Sequence, residues 1–343
     1  MYICGKEGLP MKRDRFADAL KGYACLLVVL GHVMIGIRTS GAEIPAFAKP
    51  AETFIWSFHI DLFMFLSGYV YSVTGGAESK GGRLKFLGNK LLNLGVPYFV
   101  FSALYVAVNS LIPGVNNPYS LSDILFLWKT PVAQYWFLYA LFWLFVFFTL
   151  LPEKIPNYIK TAGLYAVFAI LKISGVDMGF LDSSLNCVLA FGLGACLKSL
   201  SVEKIPIIAR IGIVIAHLVS AVVIIETGIV NYLFVDDLLT VFGIFSSVCF
   251  ISALCSFEPV RRFLLFICRY SFQIYLLHTF FTAATRILLL KTGISNYAVN
   301  LAAGLIFGIL LPVVIAKIAA LTPYTDFFFA PAHSLKKIRG KTV

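Results

Sequence analysis

Four histidines stand inside long apolar stretches of this 343-residue chain: His32, His59, His217 and His278. Ionisable side chains are costly in such surroundings, so each is a candidate for proton chemistry, with imidazole the group best suited to it near neutral pH. His32 follows Lys21 by eleven residues. Eleven helical steps of 100° return to within ~20° of the start, which puts both side chains on one helix face about 16 Å apart. Asp18, three residues before Lys21, falls near the same face and can pair with it. This stripe has two readings: a charged pair below a general base, or a topogenic lysine and a hydrogen-bonded structural histidine.

The segment WSFHIDLFMFLSGYVYS carries His59 and Asp61, with Ser67 deeper. On a helix His59 and Asp61 diverge by about 200°, so they serve different neighbours, or are simply solvated at an interface. RYSFQIYLLHTFF places Ser271, Gln273 and Tyr275 near His278, as a polar pocket lining or as interhelical hydrogen-bonding groups. His217 is read as structural. Gln134, Tyr135 and Trp136 form an aromatic belt at the end of a span, and secondarily a platform on which a sugar stacks.

The elements that must position these residues follow from composition. The chain is 59% hydrophobic and 13% charged, with a mean hydropathy of +0.88; a soluble domain carries roughly 25% charge. Its apolar residues fall into about ten stretches near the ~20 residues needed to cross a bilayer: 20–37, 54–73, 91–112, 134–151, 158–174, 183–199, 207–226, 237–255, 270–290 and 298–320. The expected fold is therefore an all-α integral membrane protein of about ten transmembrane helices. It forms one polytopic domain over 1–343, with a cytosolic N-terminal segment at 1–19 and a basic tail at 321–343.

The formal charge of +11 reports topology before it reports partners. Lys6, Lys12, Arg13 and Arg15 precede the first span; Lys80, Arg83, Lys85 and Lys90 precede the third; Lys336, Lys337, Arg339 and Lys341 fill the tail. The positive-inside rule then puts both ends in the cytoplasm, where the basic face can attract an anionic cosubstrate or anionic lipid. No nucleic-acid partner is expected. The seven cysteines, Cys4 among them, are odd in number, contain no C-x-x-C pair and read as small packing residues; no metal site is expected. G-x-x-x-x-G-K-[ST], G-x-S-x-G and H-E-x-x-H are all missing. Gly192-Leu-Gly194 reads as a close helix contact.

Five segments together resemble the acyltransferase family 3 membrane proteins, which include O-acetyltransferases of bacterial surface polysaccharides. They are DALKGYACLLVVLGH (Asp18 to His32), FHIDLFMFLSGYVYS (His59 to Ser72 at its core), KLLNLGVPYFVF (Lys90 to Phe101), YWFLYALFW (Tyr135 to Trp143) and YSFQIYLLH (Tyr270 to His278). The second is similar in particular to the fucose 4-O-acetylase-like branch. The family carries a basic residue, usually arginine, about ten residues ahead of an intramembrane histidine; here Lys21 stands eleven ahead of His32. Lys90 matches its basic cluster before the third span, and Asn93 occupies the second basic position.

The resemblance implies an acyl-CoA-dependent O-acetyltransferase in the bacterial plasma membrane, moving acetyl from cytosolic acetyl-CoA to a sugar hydroxyl of a surface polysaccharide or lipid-linked glycan. No cofactor is tightly bound in this reading; acetyl-CoA, or another acyl-CoA, is a cosubstrate. His32 is the expected base, assisted by Lys21 and Asp18. Substrate and acyl-CoA contacts are expected from Lys90, Arg83, Lys85, His59, Asp61, Ser67, Trp136, Tyr275 and His278. A transporter or flippase of a glycan precursor is the alternative, using the same buried polar residues as a path.

Overall fold

A computed structural model describes residues 14–76, 81–112, 118–200, 202, 205–227 and 234–340. Lys6, Lys12, Arg13, Lys80, Lys341 and Cys4 lie outside these, as do most of segment 1–19 and the last three residues of the tail. The described chain is helical throughout, without a strand. Eight helices are long and apolar enough to cross a membrane, and a bent pair makes a ninth. The chain is a multi-pass all-α membrane protein, and the count differs from the ten stretches of the sequence for two local reasons. Helix α7 (Asn157–Ile173) has 17 residues, about 26 Å of rise against a ~30 Å hydrocarbon core. The stretch at 183–199 is broken into α8 (Asp182–Asn186) and α9 (Val188–Cys196), bent by 42°.

The chain forms two compact units. The first, here the aromatic unit, contains the described residues of Ser67–Cys196 and of Val314–Val343. Helix α4 (Arg83–Lys90) runs through a π-helical turn at Leu91–Gly95 into α5 (Val96–Leu111). Pro97 explains the turn: it has no N–H to donate and its ring crowds the carbonyl four residues back, so the helix widens ahead of it. Asn93 in this turn accepts the Ala332 N–H (3.2 Å) and so holds the start of α15 (Pro331–Ile338). Helix α6 (Trp136–Leu150), α9 and the second half of α3 (His59–Val73) surround a core of Tyr71, Phe86, Phe145, Phe148 and Phe191. Phe148 and Phe191 lie 4.8 Å apart at a tilt, an arrangement that aromatic quadrupoles favour. Gly68 lets α3 meet α9, since a Cβ there would lie 1.9 Å from the Phe191 carbonyl oxygen. Gly192 does the same for Thr161 of α7, as its sequence pattern suggested.

The second, the histidine unit, contains the described residues of Lys12–Leu66 and Leu197–Val313. Helix α1 (Arg15–Thr39) is capped by Asp14, whose carboxylate accepts the Phe16 and Ala17 N–H groups at 3.0 Å each. It packs along α12 (Glu258–Lys291), a 34-residue helix about 51 Å long. Gly22 meets Leu264, Cys25 Sγ meets Ser271 O at 3.8 Å, His32 meets His278, and Gly36 admits the Arg286 guanidinium. Contact positions rise together on both helices, so α1 and α12 run parallel. Helix α2 (Ala48–Trp56), the first half of α3, α10 (Ile207–Thr227), α11 (Val235–Leu254) and the start of α13 (Tyr297–Ala319) complete the unit.

Parallel α1 and α12 constrain the number of crossings. Successive spans alternate in direction, so an odd number must separate these two. Ala48–Val73, Arg83–Leu111, Ala133–Leu150, α10 and α11 supply five among the described residues. Among the described residues, that parity is kept if α7 and the bent α8–α9 pair both cross or if neither does.

Candidate functional site

The histidine unit gathers three of the four histidines around one tryptophan. His32 of α1 and His278 of α12 have ring centroids 4.9 Å apart, edge to face. Trp56, the last residue of α2, lies 5.3 Å from His32 and 4.9 Å from His59, which opens α3. His59 and His278 are fully buried and His32 is partly exposed.

Local helix geometry fixes the protonation pattern. His32 Nδ1 lies 2.9 Å from Val28 O, His59 Nδ1 2.9 Å from Ile55 O, and His278 Nδ1 2.9 Å from both Ile274 O and Tyr275 O. A carbonyl only accepts, so each Nδ1 donates its proton and each neutral ring keeps its lone pair on Nε2. The Nε2 atoms of His59 and His278 have no hydrogen-bond partner. An unsatisfied buried acceptor costs roughly 1–3 kcal/mol; His217 Nε2 is another, between two phenylalanines, so what sets His59 and His278 apart is that they converge with His32 on one indole. Among the described residues no three His, Cys, Asp or Glu side chains are disposed to hold a metal ion. The cluster thus holds lone pairs that a hydrogen-bond or proton donor could engage.

A chain of contacts sets the indole in place. Arg38 at the end of α1 grips Glu52 through Nε (3.0 Å to Oε2) and Nη2 (2.8 Å to Oε1). Glu52 is buried, and a bidentate charge-assisted pair of this kind fixes both position and orientation. Trp56 stands one turn after Glu52 and is seated over Gly31, where a Cβ would come 3.3 Å from its Nε1. Neither Trp56 nor the Arg38–Glu52 pair stands out in the sequence. A tryptophan at a span end reads as interfacial, and its one useful signal is the three-residue spacing to His59.

The remaining expected residues divide between the units. Lys21 and His32 share α1 as expected, and Lys21 is partly exposed. The Asp18–Lys21 pair does not form; Asp18 Oδ1 instead accepts the Cys268 thiol of α12 at 3.6 Å. Asp61 turns from His59, as two-residue spacing requires, and its Oδ2 accepts Thr240 Oγ1 of α11 at 3.3 Å. Tyr275 lies 6.4 Å from His278. His217 is held between Phe54 (4.8 Å, stacked) and Phe58 (5.0 Å, edge on), a packing position.

Ser67, Arg83, Lys85, Lys90 and Trp136 belong to the aromatic unit. There Lys90 Nζ sits 3.5 Å from the centroid of the Phe145 ring, Arg83 lies 3.6 Å from Glu153, Lys85 is exposed, and Trp136 opens α6 partly exposed. Ser67 stands one residue before the tight α3–α9 contact at Gly68.

Residues 14–317 match the family model described as an acyltransferase domain, that of acyltransferase family 3. The chain is also similar to the nodulation protein NolL of Mesorhizobium japonicum, at 29% identity over 166 residues. That match covers 47% of this chain and 43% of the relative, so the chain spans less than half of the curated protein's length. No solved structure matches.

Proposed function

This chain belongs to acyltransferase family 3, and from that premise we propose that it moves an acetyl group from cytosolic acetyl-CoA to a sugar hydroxyl of a bacterial surface polysaccharide or lipid-linked glycan, with His32 as general base. One observation carries the assignment of the base: His32 keeps Nδ1 engaged with Val28 O, which leaves Nε2 as the lone pair, and it alone of the three clustered histidines is partly open. In the step proposed, Nε2 takes the hydroxyl proton as the oxygen attacks the thioester carbonyl. The carbon–sulfur bond then breaks, and the departing thiolate recovers the proton from the imidazolium. The products are an ester and CoA thiol. Positioned base catalysis of this kind contributes typically 10²–10⁴-fold.

His278 gives this scheme its selectivity for the transition state. The His278 Nε2 lone pair has nothing to accept from the neutral His32 ring 4.9 Å away, and in this scheme it gains a donor when His32 becomes an imidazolium. Interactions that strengthen only as the reaction proceeds lower the barrier without tightening ground-state binding.

Lys21, on the same helix face and nearer the start of α1, is proposed to meet the anionic phosphates of the cosubstrate. Arg83, Lys85 and Lys90 are proposed as further docking charges for it. The orientation proposed has α1 beginning in the cytosol of a bacterial plasma membrane. An even number of crossings then returns the end of α13 and the basic tail to the same side, in keeping with the positive-inside rule.

The test is acyl transfer by purified protein in lipid vesicles, followed by release of CoA thiol and by the mass of the glycan product. His32→Ala is expected to lose at least a hundredfold in kcat with its thermal transition in place. Wild-type turnover in that variant removes His32 as the base. Glycan movement independent of acyl-CoA selects the transporter reading instead.

A further inference from the structure

Trp56 does more than touch His32 and His59. The same indole lines a cavity of about 320 Å³ within the histidine unit, walled by Thr53, Ser57, Asp61, Asp236 and Thr240 on its polar side. Phe54, Ala221, Ile225 and Leu239 form the apolar remainder. The volume sits at the small end of ligand pockets, ~300–1,000 Å³, which suits one compact ring.

We propose that this cavity is the acceptor subsite and that it holds a neutral polyhydroxylated ring, a single sugar residue, against Trp56. Three features select that chemistry. Two carboxylates from different helices, Asp61 of α3 and Asp236 of α11, can each accept from adjacent hydroxyls, giving charge-assisted bonds. Thr53 and Ser57 already donate to Lys49 O and Phe54 O, and Thr240 to Ser57 O or Asp61 Oδ2, so their oxygens add acceptors for further hydroxyls of the ring. The indole supplies an apolar face for the C–H side of a sugar ring while it also contacts the two histidines. Thr240 Oγ1 bonds both Ser57 O and Asp61 Oδ2, at 3.3 Å each, so the break between α2 and α3 is tied to α11 at the cavity wall. The sequence offers Gln134, Tyr135 and Trp136 as a sugar platform only secondarily to an interface belt; the aromatic residue beside the histidines is Trp56.

The proposal rests on the transferase reading only for what becomes of the bound hydroxyl, so binding and transfer are measured separately. Purified protein in lipid vesicles is titrated with glucose, N-acetylglucosamine and fucose, and with glucosamine in its ammonium form as the cationic probe. Tryptophan fluorescence reports binding, and acceptor KM reports use. A neutral sugar is expected to change the fluorescence of the wild type but not of Trp56→Phe. Asp236→Asn and Asp61→Asn, which preserve shape, are expected to weaken sugar binding and raise acceptor KM by roughly ten- to a hundredfold, the loss of one hydrogen bond to a charged group.

No response to any of the three neutral sugars overturns the proposal, as does a response that survives in all three variants. Preference for the ammonium probe over glucose by more than tenfold, abolished in Asp236→Asn, replaces the polyol with a cation and equally overturns it. Sugar binding with the expected losses but no acyl transfer leaves the cavity assignment standing and removes the transferase scheme. Transfer with an acceptor KM unmoved by Asp236→Asn does the reverse.

Discussion

The two units face the same physical problem, polar groups inside an apolar helical assembly, and answer it oppositely. In the aromatic unit the basic and amide groups close on their neighbours, and it is hydroxyls, those of Ser102, Thr149 and Ser184, that are left without a partner. Phe148 O accepts both Tyr71 OH (3.4 Å) and the buried Lys160 Nζ (3.3 Å), Asn157 Nδ2 donates to Ala195 O (2.7 Å), and Lys90 lies against Phe145. In the histidine unit two buried imidazoles leave their basic nitrogens without a partner around a third that is partly open. Closed pairs hold helices together; open acceptors store a capacity to receive a proton donor. Under the proposed function, the difference marks where stability is made and where it is given up for chemistry.

The largest effect that could break this comparison is catalytic. His32→Ala should cost a hundredfold or more in turnover, while Tyr71→Phe, which deletes a comparable buried polar atom, should leave turnover within about twofold and lower stability by about 1 kcal/mol. Equal losses of activity in both would mean that the units do not divide the work. Next come the close helix contacts. A methyl at Gly22 would meet Leu264 O at 2.1 Å. Gly22→Ala should therefore push α1 from α12 and reduce thermal stability by several degrees together with activity, whereas Gly68→Ala should act on stability first.

A smaller and sharper effect concerns sign. His278→Leu removes an unsatisfied acceptor, so the variant should melt at or above the wild-type temperature while turning over more slowly; Lys160→Met, which strips a satisfied donor from the aromatic unit, should melt lower. If His278→Leu is strongly destabilised, the histidine is a packing element after all. The smallest expected effect is that of Glu52→Gln, which keeps shape but weakens the grip of Arg38. A few-fold loss in turnover, with Trp56 fluorescence shifted, is the expected result.

Much of the architecture was legible because hydropathy and helix length are local. The stretches at 20–37, 134–151 and 207–226 correspond closely to α1, α6 and α10. The failures are equally local in cause. The apolar run at 158–174 falls short of a full crossing, the run at 183–199 bends at Cys187, and the run at 270–290 conceals a helix that begins at Glu258, because its first twelve residues are polar enough to read as a loop. For the site, each histidine was visible singly as an ionisable group in an apolar run. Their convergence was not, since it depends on α1 and α12 meeting at Gly22 and on Arg38 setting the pitch of α2. The Asp18–Lys21 pair illustrates the limit: spacing allowed it, and a thiol on another helix took the carboxylate.

The contact between Cys25 and Ser271 joins positions 246 residues apart. A ribosome adding about 5–20 residues per second needs roughly 12–50 s to make that interval. For all of that time the first helix waits in the membrane with its imidazole unmatched by His278, and the contact forms only once α12, which ends at residue 291 of 343, has been made. Any fragment that stops before α12 therefore carries His32 but no partner for it. Such long-range closure makes assembly slow, and no chain that stops before α12 carries the complete histidine cluster on which the proposed function rests.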